Sequence, residues 1–176
     1  MKKIVWTFGL LAGGIMMAMF FIALPFHDAI GFDYGMIYGY TSMVAAFLLV
    51  YFGIRSYRDS VGGGTVGFGR AVAVGTLIVM VASTLYVASW EVYFFGTDGG
   101  KEYIAGYQEY VVKKERAKGA TQAELDKIVA DNKAFAEMYQ NPVINFGITF
   151  LEPLPVGLLV ALISAAVLSR KKQSAA

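Results

Sequence analysis

The sequence predicts an all-α, polytopic membrane protein with four transmembrane helices, both termini cytoplasmic, and an extracytoplasmic amphipathic helical hairpin between spans three and four. Three observations carry this prediction. Residues Ile4–Leu24, Gly35–Ile54, Ala71–Phe95 and Val143–Leu168 contain no charged residue apart from Glu91 and Glu152. Each stretch reaches the roughly 20 residues that a helix, rising about 1.5 Å per residue, needs to cross about 30 Å of hydrocarbon. Basic residues gather at only some of the span ends, and residues 96–141 form a polar insertion with helical periodicity.

Composition points the same way. The chain is 57% hydrophobic and 16% charged, where a soluble domain has about 25% charge, and its mean hydropathy is +0.55. Residues 1–176 leave room for one membrane domain and a modest insertion, not for a second full domain. A net charge of +2 is too small to imply a nucleic-acid partner. Without cysteine there is no disulfide, thiolate metal site or thiol nucleophile. The single histidine, His27, supplies no histidine-based metal site unless a symmetric oligomer gathers several copies.

Span one follows Lys2 and Lys3, as a signal peptide would. Its apolar run exceeds the usual 7–15 residues, and Phe20, Phe21 and Ile22 stand where a cleavage site needs small residues. It reads as an uncleaved helix. Orientation follows from basic residues near the span ends. Lys2 and Lys3 precede span one, Arg55, Arg58 and Arg70 lie between spans two and three, and Arg170, Lys171 and Lys172 follow span four. The first connection, Pro25–Tyr34, has no lysine or arginine and carries Asp28 and Asp33. Both termini and the arginine loop are thus expected inside, with the insertion outside. The insertion's seven basic residues lie mostly far from the spans and are offset by eight acidic ones.

Small residues suggest how the spans meet. Gly9 and Gly13, and Gly35 and Gly39, are spaced as G-x-x-x-G, and Gly157, Ala161 and Ala165 continue the theme on span four. Such stripes let backbones approach where lipid offers no hydrophobic drive, within one chain or between copies. Gly62-Gly-Gly-Thr-Val-Gly67 formally matches a dinucleotide fingerprint. That motif needs a preceding strand and a βαβ unit, and here it follows a membrane helix. A re-entry loop is the better reading, with Arg55, Arg58 and Arg70 on anionic lipid headgroups and Phe68 in the interface.

In the insertion, Gly96-Thr-Asp-Gly-Gly100 reads as a turn. Lys101–Lys118 follows as a helix with Ile104, Tyr107 and Val111 on one face, and Gly119 is a natural C-cap. Thr121-Gln-Ala-Glu124 has the form of a capping box. Leu125, Ile128, Phe135, Met138 and Tyr139 then make an apolar stripe that must pack on the first helix, the membrane surface or a partner. Asn141-Pro142 stops this helix or bends it into span four.

Two carboxylates inside the spans are the candidate site. Nine residues of helix from Val143 place Glu152 about 13 Å deep. Charge there costs roughly 2.5–3.5 kcal/mol on insertion scales, so the residue should be neutral, paired or turned to the bundle interior. Pro153 and Pro155 remove amides that would serve the carbonyls of Thr149 and Leu151. A glutamate beside freed carbonyls is how interrupted helices build proton or cation sites. A hydrogen-bonded or protonated glutamate locking a kinked helix is the structural alternative. Glu91, in Trp90-Glu-Val-Tyr93, falls nearer the outer interface, where tryptophan and tyrosine gather. Were the two carboxylates close, they would share a proton.

Several ordered motifs resemble domain-of-unknown-function family 4199. They are Phe32-Asp-Tyr-Gly-Met36, Gly53-Ile-Arg-Ser-Tyr-Arg-Asp59, Thr65-Val-Gly-Phe-Gly-Arg-Ala71 and Trp90-Glu-Val-Tyr93, then Phe135-Ala-Glu-Met-Tyr-Gln-Asn-Pro142 and Phe150-Leu-Glu-Pro-Leu-Pro-Val-Gly157. The resemblance covers nearly the whole chain. It implies a small four-helix protein of the inner membrane of Bacteroidetes-type bacteria, and it supplies no activity or catalytic residues. The residues themselves hold no Ser-His or metal constellation, so neither an enzyme nor a cofactor is expected. Two functions fit. One is an accessory or assembly subunit contacting a membrane-protein partner through the hairpin. The other is a small oligomeric proton- or cation-coupled transporter or channel centred on Glu152.

Overall fold

The computed structural model describes residues 1–169, without the side chains of His27 and Asp28. Arg170, Lys171 and Lys172, which entered the orientation argument, lie outside the described residues. Seven α-helices run in order: α1 (Lys2–Ala23), α2 (His27–Ser60), α3 (Phe68–Gly96), α4 (Gly99–Ala117), α5 (Gln122–Tyr139), α6 (Pro142–Leu151) and α7 (Pro153–Leu168). A single 3-10 turn, Leu24–Phe26, joins α1 to α2. Four segments are long and apolar enough to cross a membrane: Lys2–Phe26, Ala29–Ser60, Phe68–Gly96 and Pro142–Leu168.

The first connection corrects the sequence reading. Pro25–Tyr34 is almost wholly helical, passing from the 3-10 turn through Phe26 at φ −105° and ψ 5° into α2 and bent again at Gly31, whose φ of 68° and ψ of 168° suit glycine alone. Span two therefore begins before the expected Gly35. It also runs past Ile54, because helix continues through Arg55, Arg58 and Asp59 although apolar sequence does not. Charge ends a hydropathy window; it does not end a helix.

The helices fall into two compact units. The first holds Met1–Tyr86 and the chain from Phe150, and so contains α1, α2, the leading part of α3, and α7. Its core is apolar, with Phe47, Val50, Ile54, Val74, Ile78 and Val79 fully enclosed. Small residues bring these helices together. A Cβ on Gly9 would lie 2.6 Å from that of Val81, and one on Gly13 would lie 2.9 Å from the Ala82 carbonyl oxygen. On α7 a Gly157 Cβ would meet Val79 at 2.5 Å and Phe47 at 3.0 Å. Ala161 and Ala165 are fully buried beside it. Two of the three small-residue stripes thus serve packing within the chain. The third, Gly35 and Gly39, faces open space.

The second unit, Val87–Thr149, contains the last turns of α3, then α4, α5 and most of α6. Its hairpin matches the expected one closely. Helix α4 closes with Gly119 at φ 91°, and the Ala120 amide donates to the Glu115 carbonyl while the Gly119 amide donates to that of Arg116. These two bonds satisfy carbonyls that a helix end leaves open. Thr121 and Glu124 form the reciprocal capping box at the start of α5. Asn141 caps α6 through its side-chain oxygen, 3.0 Å from the Val143 amide, with Pro142 in the first helical turn. Gly99 and Gly100 differ from expectation: neither has positive φ, and both belong to α4. A Cβ on Gly100 would lie 2.6 Å from Phe94 backbone, so close approach is what requires glycine there.

Candidate functional site

Glu152 is the residue on which span four is interrupted. Helix α6 stops at Leu151 and α7 starts at Pro153, while Glu152 itself keeps right-handed helical geometry at φ −64° and ψ −54°. Its side chain is exposed on the surface of the chain. Among the described residues it makes no hydrogen bond and no ion pair. Of the three outcomes expected of it, neutral, paired or turned to the interior, pairing and enclosure are not met within this chain, and the sequence already held the reason. Glu152 and Ala161 are nine residues apart, about two and a half turns at 3.6 residues per turn. That places Glu152 on the face of the span opposite the small-residue stripe that packs inward. Leu151, Leu159 and Ile163 are exposed with it. A lone carboxyl thus stands on an apolar surface at mid-span.

Glu91 belongs to the second unit and Glu152 to the first. Glu91 is half-buried, and its Oε1 atom is enclosed without a hydrogen-bond partner. Among the described residues no three histidine, aspartate or glutamate side chains come close enough together to hold a metal ion. Of the tyrosines near the start of α2, Tyr38 has its hydroxyl engaged, donating to the Met19 carbonyl at 3.1 Å. The side chain of His27 lies outside the described residues.

The arginine loop is built differently from a phosphate cradle. The Gly62 amide donates to the Tyr57 carbonyl and the Gly64 amide to that of Arg58, both at 3.0 Å, and the Thr65 amide donates to Gly62. Gly63 and Gly64 take positive φ to make this turn. Its amides complete the end of α2 and are not turned toward a ligand. Arg58 Nε sits 2.7 Å from Asp59 Oδ1, and Arg55 Nε sits 3.7 Å from Asp59 Oδ2. Two of the three expected headgroup contacts therefore share one carboxylate. Arg70, in the first turn of α3, is exposed and forms no ion pair among the described residues. Phe68 is exposed beside it.

The second unit contains a buried polar network that the sequence reading did not single out. The Trp90 indole donates to Asn145 Oδ1 at 3.0 Å, and Asn145 Nδ2 donates to the Tyr139 carbonyl at 3.1 Å. The Tyr139 and Thr149 hydroxyls are 2.6 Å apart, and Thr149 in turn reaches Asn145 Oδ1 at 3.3 Å. Aromatic rings enclose the network: Tyr103 lies 5.4 Å from Trp90, and Phe94 and Phe135 each lie 5.3 Å from Tyr139. One signal was available, an asparagine within an otherwise apolar span, since a buried amide must find partners.

The hairpin spends only part of its apolar stripe on itself. Leu125 and Tyr139 are buried, and the Gln108 side-chain amide donates to the Asn132 carbonyl at 3.0 Å, pinning α4 to α5. Tyr107, Phe135 and Met138 remain between 42% and 44% exposed. At the tip, the backbone amide of Thr121, followed by its hydroxyl, holds the Glu124 carboxyl below its usual range.

Comparison with known proteins adds one family. Residues 7–170 match the family described as "Protein of unknown function (DUF4199)". Neither a curated protein nor a solved structure matches the chain.

Proposed function

The chain belongs to the DUF4199 family of unknown function, and from that premise we propose that it is a non-catalytic accessory or assembly subunit of the bacterial inner membrane. It binds a membrane-protein partner through the α4–α5 hairpin. In this reading both termini and the Arg55–Arg70 loop are cytoplasmic, the hairpin is periplasmic, and Arg70, with Arg55 and Arg58 less so, meets anionic headgroups. The observation that carries it is the unspent face of the hairpin. Tyr107 on α4 and Phe135 and Met138 on α5 stay exposed after α4 and α5 have packed together. Aromatic residues and methionine are the types enriched where proteins meet. The test is purification of the tagged protein in nanodiscs, followed by mass spectrometry of bound proteins. A stoichiometric partner, lost when residues 101–140 are replaced by a short linker, is expected. A preparation holding this chain alone sinks the reading.

The exposed carboxyl of Glu152 favours a second reading, an oligomeric proton- or cation-coupled carrier. In this reading neighbouring copies cover Glu152 and turn it into a lined path. Glu152→Gln should then abolish coupled flux in liposomes while the protein stays folded and oligomeric. Unchanged flux, or none in the parent protein, removes this reading.

A further inference from the structure

We propose that the groove between the end of α1 and the start of α2 is a binding site for one acyl chain of a membrane phospholipid. The groove belongs wholly to the first unit, lies open along its outer side and has a volume of about 440 Å³. Met19, Ile30, Ile37 and Ala45 give it an apolar lining. Its deeper hydroxyls are already spent. Tyr38 donates to the Met19 carbonyl at 3.1 Å, and Ser42 donates to the Tyr38 carbonyl at 2.7 Å. The first bond ties α1 to α2 across the floor, the second stays within α2, and together they leave hydrocarbon surface facing outward.

Its place along the chain selects the occupant. The lining on α2 runs from Tyr34 to Ala45, a length of about 16 Å at 1.5 Å per residue. One leaflet of hydrocarbon is about 15 Å deep, half of the roughly 30 Å core. Tyr34 stands near the start of the span, where a phenol sits among ester and headgroup oxygens. It is 72% exposed and has no hydrogen-bond partner among the described residues. Its hydroxyl can donate to a lipid ester carbonyl while the chain below runs past Ile37 and Thr41. Water gains nothing in a channel of this lining, and an empty one forfeits dispersion contacts along both helices. The turn at Gly31 places Ile30 against the same groove. The site is separate from the arginine loop, which meets headgroups by charge.

This inference rests on the membrane reading alone, not on the hairpin partner. The test uses full-length protein in vesicles of phosphatidylethanolamine and phosphatidylglycerol, doped with phosphatidylethanolamine carrying a diazirine at mid-chain. Only protein that floats with the vesicles is irradiated, so failure to enter the membrane is scored separately. The expected result is labelling concentrated on the peptides that hold Met19 and Tyr34–Ala45. Thr41→Trp, at an exposed position, fills the groove and should remove that labelling while sparing Leu159 and Ile163. Tyr34→Phe should retain chain labelling but loosen its depth, spreading it along α2. Two results overturn the proposal. One is labelling spread evenly over all exposed apolar positions and unchanged by Thr41→Trp. The other is a groove protected from lipid, with Ile37→Cys forming disulfides between copies, which would make a second chain the occupant.

Discussion

The two units bury different things and are held by different means. In the first, helices approach until glycine backbones touch neighbouring side chains, and the fully enclosed residues are almost all apolar. In the second, an asparagine, a threonine and a tryptophan indole are buried together and satisfy one another inside a shell of rings. Lipid tails are as apolar as leucine, so bundles in a membrane gain most from close contact. A polar network is directional and fixes one arrangement, because each unmade bond costs the desolvation of its partner. The first unit should therefore respond to added volume, and the second to lost hydrogen bonds.

The largest expected effect tests the first half of that contrast. Gly13→Leu drives a side chain into the Ala82 backbone, which cannot swing aside as a side chain can. We expect a loss of about 3 kcal/mol or outright misfolding, from the cost of overpacking, read by denaturant unfolding in micelles. A Gly13→Leu protein with parental stability would break the comparison.

Next is Asn145→Leu, which adds little volume but removes the acceptor of the Trp90 indole and the donor to the Tyr139 carbonyl, while Thr149 keeps the Tyr139 hydroxyl. A loss of about 1–2 kcal/mol is expected, between the value for a stranded buried group and the smaller averages measured inside membranes. Tryptophan fluorescence should shift in step. A double-mutant cycle with Trp90→Phe should show coupling, and strict additivity would mean that the bond does not hold the unit together.

Smaller and local is the cap of α5. Thr121→Ala should cost about 1 kcal/mol at that helix start. The Glu124 carboxyl is held below its usual range in the folded protein by the Thr121 amide and hydroxyl. The contribution of a carboxyl so lowered is present above its unfolded value and is lost as pH falls through the folded one. Protection factors of the amides at the start of α5 should accordingly fall below about pH 4, and Glu124→Gln should flatten that dependence. A profile that is equally steep in the glutamine variant would assign it to other groups.

The smallest effect sharpens the comparison within the first unit. Gly35→Ala and Gly39→Ala add a methyl where nothing lies within 4 Å. Each should leave the fold intact and stabilise it by up to about 1 kcal/mol through reduced backbone freedom. If instead size-exclusion mass falls with Gly39→Ala, the stripe is a seam between copies.

Much of this architecture was legible. The spans, the hairpin, the capping box at Thr121 and the Gly119 cap follow from patterns with a local cause. The first connection was not legible, since Pro25, Asp28 and Asp33 look like a loop, whereas the chain there breaks only at the short 3-10 turn and at Gly31. Nor did the G-x-x-x-G spacing say which stripe is used: Gly9 and Gly35 begin the same pattern, and tertiary neighbours alone distinguish them. The direction of Glu152 could have been read, because Gly157, Ala161 and Ala165 mark the opposite face. Hydropathy hid it, since every face of that span is apolar.

The nearly unbroken helix from Lys2 to Ser60 bears on biogenesis. Its backbone bonds are made within the segment itself apart from the breaks at Leu24–Phe26 and Gly31, so the pair of helices exposes few open amides as it leaves the translocon. It can partition sideways into lipid as one hairpin. With synthesis at roughly 5–20 residues per second, this pair has several seconds in the bilayer before α7 emerges. The partner that completes its packing, the inward stripe of α7, is made only after α3 to α6.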